Sequence, residues 1–208
     1  MIPDELEAYC NDHSSPEIQV LAELRRETHL TQVYPRMMSG PAQGTLLRFI
    51  CHMTRPGKIL EIGTFTGYSA INFALGSSAT VHTIEVNPEL EAIIRKYIEA
   101  AGLSGRIILH SGDAMKIIPS INESWDLVYI DADKPNYLNY YELVFPKVRQ
   151  GGWILADNAL WDGKVLDPGI RDRETSGIRE FNEFIRKDER VENLLLPFRD
   201  GIMLIRKK

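Results

Sequence analysis

Cysteine is scarce in this sequence. Only Cys10 and Cys51 occur, too few for a disulfide framework and at a spacing that fits no metal pattern. Both are read as reduced thiols. Long apolar runs are missing as well: none approaches the roughly 18 residues that a membrane span needs, so no membrane partner is expected. Met1 to Cys10 has no basic stretch followed by an apolar one and carries Asp4, Glu5 and Glu7 instead. No secretory signal is expected there, and the protein is placed in the cytoplasm. Positive charge is not in excess, with 24 Lys and Arg against 29 Asp and Glu. Bulk charge therefore implies no broad basic surface for nucleic acid. None of the five histidines sits at ligand spacing from another, which argues against zinc.

What is present is an ordinary globular composition, 44% hydrophobic and 25% charged over 208 residues. That length suits one domain with a substantial core. The expected layout is a single domain over 1–208, with 1–56 a helical cap and 57–208 the main body. Pro16 is expected to open a helix through Ile18, Val20, Leu21 and Leu24. Pro41 is expected to open another, through Leu46, Leu47, Phe49 and Ile50, ending near Arg55-Pro56-Gly57. Beyond Gly57 short apolar runs alternate with helical segments. Lys58–Ile62, Thr80–Ile84, Arg106–Leu109, Trp125–Ile130 and Gly152–Ala156 read as strands, near-continuously apolar as parallel strands covered on both faces are. Pro88 marks a helix start, and Phe181–Ile185 lies in a late helix. Val191–Leu196 and Ile202–Ile205 flank Arg199-Asp200-Gly201 as an antiparallel hairpin. The pattern predicts a doubly wound α/β fold with a mainly parallel sheet and an antiparallel end.

Ligands in such sheets bind beyond the carboxyl ends of the strands, so the residues after each strand matter most. The first strand runs into Glu61-Ile62-Gly63-Thr64-Phe65-Thr66-Gly67-Tyr68-Ser69. Gly63 and Gly67 allow a tight turn and a close approach to the backbone. The dinucleotide fingerprint G-x-G-x-x-G is absent, because Phe65 stands where its second glycine would be. That argues against NAD and FAD. Glu85 ends the second strand about twenty residues on, where an acidic side chain can accept from ribose hydroxyls. An adenosine-type cofactor without a diphosphate fits both facts, and S-adenosylmethionine is the commonest.

The fourth strand ends in Asp131-Ala132-Asp133-Lys134-Pro135-Asn136-Tyr137 and the fifth in Asp157-Asn158. Asp131, Asp157 and Asn158 would then project at one rim from neighbouring strands. Two carboxylates and an amide are hard oxygen ligands, suited to Mg²⁺, with Mn²⁺ or Ca²⁺ as alternatives. A bound cation would lower the pKa of an acceptor hydroxyl. Lys134 could take the hydroxyl proton or stabilise the oxyanion, and the sequence leaves both open. Ser69 and Cys51 have no evident base partner, which disfavours a covalent enzyme intermediate. Strand-end Asp and Asn residues that merely cap turns are the plainer alternative.

The patterns Glu61-x-Gly63-x-x-x-Gly67-Tyr68-Ser69, Asp131-Ala132-Asp133-Lys134-x-Asn136-Tyr137 and Asp157-Asn158-x-Leu160-Trp161 resemble the caffeoyl-CoA and catechol O-methyltransferase family, above all its short bacterial members. The resemblance runs from about Pro16 to the C-terminus. It implies a class I methyltransferase fold, Rossmann-like and seven-stranded, with extra N-terminal helices. It implies S-adenosylmethionine as methyl donor and a catechol-like small-molecule acceptor. It also implies a divalent cation on Asp131, Asp157 and Asn158, and a catalytic Lys134 beside Asp131. Cofactor contacts carry over onto Met37, Ser39, Glu61, Gly63, Thr64, Ser69, Glu85, Ala114, Asp131 and Asp133. Trp161 matches a position near the acceptor, and a homodimer is implied. The short N-terminal region does not match the coenzyme A recognition segments of the plant enzymes. The alternative acceptor is a hydroxyuridine of tRNA, with Arg171, Arg173 and Arg179 as a basic rim. Gly163 to Gly177, rich in charge, Gly and Pro, reads as a mobile flap over the acceptor.

Overall fold

The computed structural model of the protein describes residues 4–208; residues 1–3, the head of the segment expected to carry no leader, lie outside the described residues. The strands are β1 Lys58–Ile62, β2 Thr80–Glu85, β3 Ile107–Ser111, β4 Trp125–Ile130, β5 Val148–Ala156, β6 Val191–Leu196 and β7 Ile202–Lys207. They form one seven-stranded sheet in the order β3-β2-β1-β4-β5-β7-β6. The order reverses between β1 and β4, the switch point at which doubly wound sheets bind ligands. The described helices are α1 Asp4–Asp12, α2 Gln19–Thr31, α3 Gly40–Thr54, α4 Tyr68–Leu75, α5 Glu91–Ala100, α6 Ala114–Ser120, α7 Tyr137–Val144 and α8 Arg173–Lys187. None is long and apolar enough to cross a membrane. By packing, the chain divides into two compact units, 2–59 with 64–113, and 60–63 with 114–208.

In the first unit α2 buries Leu21, Leu24 and Thr28, one face of a helix at spacings of three and four. It starts at Gln19 rather than at Pro16. Glu17, just ahead, has its carboxylate occupied by the Tyr68 hydroxyl at 2.6 Å and by the Arg25 guanidinium at 2.9 Å. Helix α3 begins at Gly40 with Pro41 in its first turn, where the missing N–H of proline has no helical partner to lose. It stops at Arg55, which takes φ +48° just before Pro56. Helix α4 is buried from Tyr68 to Ala74 and lies tightly against α3. A Cβ on Gly44 would come within 2.6 Å of Asn72 Nδ2. Strand β3 opens at Ile107 instead of Arg106, whose guanidinium donates to the carbonyls of Ala74, Ser77 and Ala79.

In the second unit β4 and β5 are parallel, with Leu127 opposite Trp153 and Ile130 opposite Ala156. The next residues, Asp131 and Asp157, therefore leave the sheet side by side, and the Asp157 N–H donates to the Ile130 carbonyl at 3.0 Å. Leu127 to Ile130 are fully buried. Strand β7 runs antiparallel to both β5 and β6, as the hairpin reading expected. Helix α8 is capped by Asp172, whose carboxylate accepts the Thr175 N–H at 2.8 Å. It buries Ile178, Phe181 and Ile185, with Phe181 meeting the Tyr137 ring edge-on at 5.6 Å.

Candidate active site

Asp131 begins the segment after β4. Its Oδ1 accepts from Lys134 Nζ at 3.1 Å. The same ammonium donates to the Tyr137 hydroxyl oxygen at 2.8 Å and lies 5.7 Å from the centre of the Trp161 ring. Lys134 is only 8% exposed, an uncommon state for a lysine without a paired carboxylate. Its backbone is fixed by α8. A Cβ on Gly177 would stand 2.6 Å from the Lys134 carbonyl oxygen and 2.7 Å from Pro135 Cα, so the helix approaches this closely only with glycine there.

Asp157, 4% exposed, has both oxygens engaged. Oδ2 accepts from the buried Tyr129 hydroxyl and Oδ1 from the Asn158 N–H, each at 2.8 Å. Asn158 takes φ +55°, a conformation asparagine adopts more readily than most residues. Burial pushes the Asp131 carboxyl above its ordinary value and the charge of Asp157 adds to this, while Lys134 and Arg199 pull it back. Burial, then the surrounding carboxylates, push the Tyr137 phenol far up, so it stays protonated. Two like-charged carboxylates with little water between them are what a hard cation neutralises. Among the described residues no three His, Cys, Asp or Glu side chains converge as a metal-holding group; the set here is two carboxylates and one amide.

The turn after β1 is built differently. Glu61 is completely buried. Gly63 has φ +97°, and a Cβ on it would fall 2.0 Å from the Asp131 carbonyl oxygen. Only glycine fits. In the other unit, Thr64 Oγ1 lies 2.5 Å from Thr83 Oγ1. Phe65 takes φ +50°, and its N–H donates to Glu85 Oε2 at 2.8 Å. Glu85 Oε1 accepts the Asn87 N–H at 2.9 Å. Ser69 is buried in the first turn of α4, and Ser39 is buried at the head of α3. Met37 closes the 3-10 turn Pro35–Met37 and is 62% exposed. Ala114 opens α6 and is buried. Asp133 is held locally, accepting from the Tyr140 hydroxyl and from Asn136 Nδ2, both at 2.5 Å.

A family model for O-methyltransferases matches residues 11–208. The chain belongs to the O-methyltransferase family. Among curated relatives, a catechol O-methyltransferase of Niastella koreensis is 34% identical to this methyltransferase, over 78% of this chain and 76% of its own. A caffeoyl-CoA O-methyltransferase of Stellaria longipes is 31% identical, over 92% and 84%. An O-methyltransferase of Bacillus cereus, solved in complex with SAH, is 31% identical. It superposes with a TM-score of 0.92 over 98% of this chain and 97% of its own.

Several site residues of this methyltransferase escape a reading of its sequence. Tyr129 sits in an apolar strand and looks like core. Asp200 looks like a turn residue, yet it accepts from Asn158 Nδ2 at 3.2 Å and from the Asp162 N–H. Asn182 Nδ2 donates to the Ala159 carbonyl at 2.8 Å from α8. The Trp161 indole N–H is buried without a partner. Of the three arginines read as a basic rim, Arg179 is spent on backbone. It donates to the carbonyls of Lys164, Val165, Asp167 and Ile170. The segment read as a flap is thus partly the first turn of α8 and partly a loop tied down by this one guanidinium. His82 Nδ1 and His110 Nε2, far apart in sequence, meet at 3.0 Å across β2 and β3.

Proposed function

We propose that this methyltransferase moves the methyl group of S-adenosylmethionine to one hydroxyl of a catechol-like small molecule held by a divalent cation, Mg²⁺ above all. The observation that carries this is the pair of buried carboxylates, Asp131 and Asp157, leaving adjacent parallel strands with Asn158 beside them and Lys134 Nζ 3.1 Å from Asp131. The relatives named for catechol and for caffeoyl-CoA support the acceptor class, and the SAH-bound neighbour supports the donor.

Bound S-adenosylmethionine supplies an already activated methyl, and a bound cation supplies Lewis acidity toward the acceptor hydroxyl. The chain's own residues do the rest. Asp131, Asp157 and Asn158 offer three hard oxygens and leave room for a two-oxygen acceptor. Lys134, held by Asp131 and Tyr137, places a cationic N–H donor where the acceptor oxygen develops charge. Tyr137 remains a protonated phenol and steers that ammonium. Holding acceptor and donor in line contributes several kcal/mol, on the order of what well-oriented reactions gain. Cofactor contacts follow the resemblance, with Glu85 and Ser69 among them. We place the protein in the cytoplasm and expect a homodimer, supported by exposed Val33, Tyr34, Phe49 and Met53; light scattering tests the dimer.

The test is methyl transfer from labelled S-adenosylmethionine to a catechol panel, including caffeate and caffeoyl-CoA, with Mg²⁺ and then with EDTA, and with total tRNA in parallel. Catechol methylation that EDTA abolishes is the expected result. Label in tRNA and in no phenol would overturn the acceptor class, and EDTA-insensitive turnover would overturn the cation.

A further inference from the structure

Asp200 sits at the tip of the β6–β7 hairpin, half-buried, far in sequence from the carboxylate pair. Its position does not depend on its own side chain. The Asp200 carbonyl accepts the Leu160 N–H at 2.8 Å, and the Gly201 carbonyl accepts the Ala159 N–H at 2.9 Å. A Cβ on Gly201 would lie 2.4 Å from Leu160 Cγ, so the tip is pressed onto the segment just beyond Asn158. From there one Asp200 oxygen accepts the Asp162 N–H and the other accepts Asn158 Nδ2.

We infer that Asp200 is a positioning residue that decides which end of the Asn158 amide is offered as a ligand. An ionised carboxylate only accepts hydrogen bonds. The Asn158 amide must therefore turn its NH₂ toward Asp200, which leaves Oδ1, the atom a hard cation requires, on the opposite side. Among the described residues Oδ1 makes no hydrogen bond of its own. An amide is nearly symmetric in shape, so packing alone does not distinguish its two ends; the acceptor-only partner does. The inference rests on the cation reading of Asp131, Asp157 and Asn158.

The experiment is a calorimetric titration of Mn²⁺ into the full chain, with neither donor nor acceptor present. The native protein and the variants D157A, D200N, N158D and N158D/D200N are compared. In D200N the oxygen of the introduced amide still accepts from Asp162, but its NH₂ now faces the NH₂ of Asn158. The amide at 158 turns over and presents nitrogen to the cation. Mn²⁺ affinity is expected to fall about 10- to 100-fold, the range usual for residues that orient ligands, while the melting temperature of the metal-free protein stays near native. In the N158D background either oxygen of residue 158 can ligate, so adding D200N should have no effect on affinity. Unchanged affinity in D200N overturns the inference. So does an equal loss in both backgrounds, which would make Asp200 a distant charge only. Native protein that takes up no more Mn²⁺ than D157A overturns the cation reading itself, and the inference with it.

Discussion

At the turn after β1 the chain offers backbone; at the ends of β4 and β5 it offers side chains. Gly63 is there because a Cβ would collide with the Asp131 carbonyl, and Phe65 holds φ +50° with its N–H capped by Glu85. In the second region the backbone is ordinary parallel strand, and the chemistry lies in Asp131, Lys134, Asp157 and Asn158, each turned by a partner. The first region tolerates no added bulk and the second no lost charge. Both limits come from the two things a strand end can do: expose N–H and C=O groups at a tight turn, or project the next side chain beyond the sheet.

The largest effect is expected where a ligand is removed. Asp157→Ala should reduce Mg²⁺-dependent methyl transfer by at least about 100-fold, as loss of transition-state charge stabilisation does. Initial rates with a catechol check it, and chelator-insensitive turnover at the native level would erase the contrast between the two regions. Next comes bulk at the turn. Gly63→Ala combines a positive φ with an unavoidable clash, and a destabilisation of about 3 kcal/mol is expected. It is read from denaturant unfolding of the metal-free protein. A loss under about 1 kcal/mol would show that the turn can relax.

Glu85 belongs to both regions in kind, a side chain serving backbone. Glu85→Gln keeps the shape but leaves one of the two N–H groups, Phe65 or Asn87, facing an NH₂. S-adenosylmethionine binding is expected to weaken about tenfold, the worth of one charged hydrogen bond, measured by calorimetry. Native affinity would remove Glu85 from the cofactor contacts. The smallest effect lies outside both regions. The Arg190 guanidinium holds the Asp188 carboxyl down to about 2, against an ordinary 3.8, with help from the Tyr141 hydroxyl. A lowered carboxyl stabilises the fold above its ordinary value, and that stability is lost as the pH falls through about 4 toward 2. Asp188→Asn should flatten this acid limb and cost about 1 kcal/mol at neutral pH, discounted from the bare shift because Arg190 is half-exposed. Melting curves between pH 7 and 2 test it, and an unchanged acid limb would assign the loss to other carboxylates.

The sheet was largely legible in the sequence. Trp125–Ile130 and Val191–Leu196 read as strands with the observed bounds, because continuous apolar runs between turn residues have few other uses in a doubly wound fold. Edges were less legible where a long-range contact sets them. Helix α2 starts three residues after Pro16, and β3 starts after Arg106, whose guanidinium reaches Ala74, Ser77 and Ala79. Arg179 is the clearest departure. By composition it belongs to a charged loop rim, yet its donors close four carbonyls of residues 164–170. No local pattern announces a guanidinium that serves a distant backbone.

Sequence by itself determined the order of strands and helices, the glycines of the β1–α4 turn, and the identity of the oxygen-bearing residues at the ends of β4 and β5. All of these are local: periodicity, turn chemistry, and the residues next after a strand. Tertiary structure alone decided that Tyr129 holds Asp157, that Gly177 lets α8 sit against Lys134, and that Asp200 faces the Asn158 amide. Hydrogen bonds and close approaches of this kind join residues far apart along the chain. They depend on which elements pack together, and the chain carries no mark of that until it has folded.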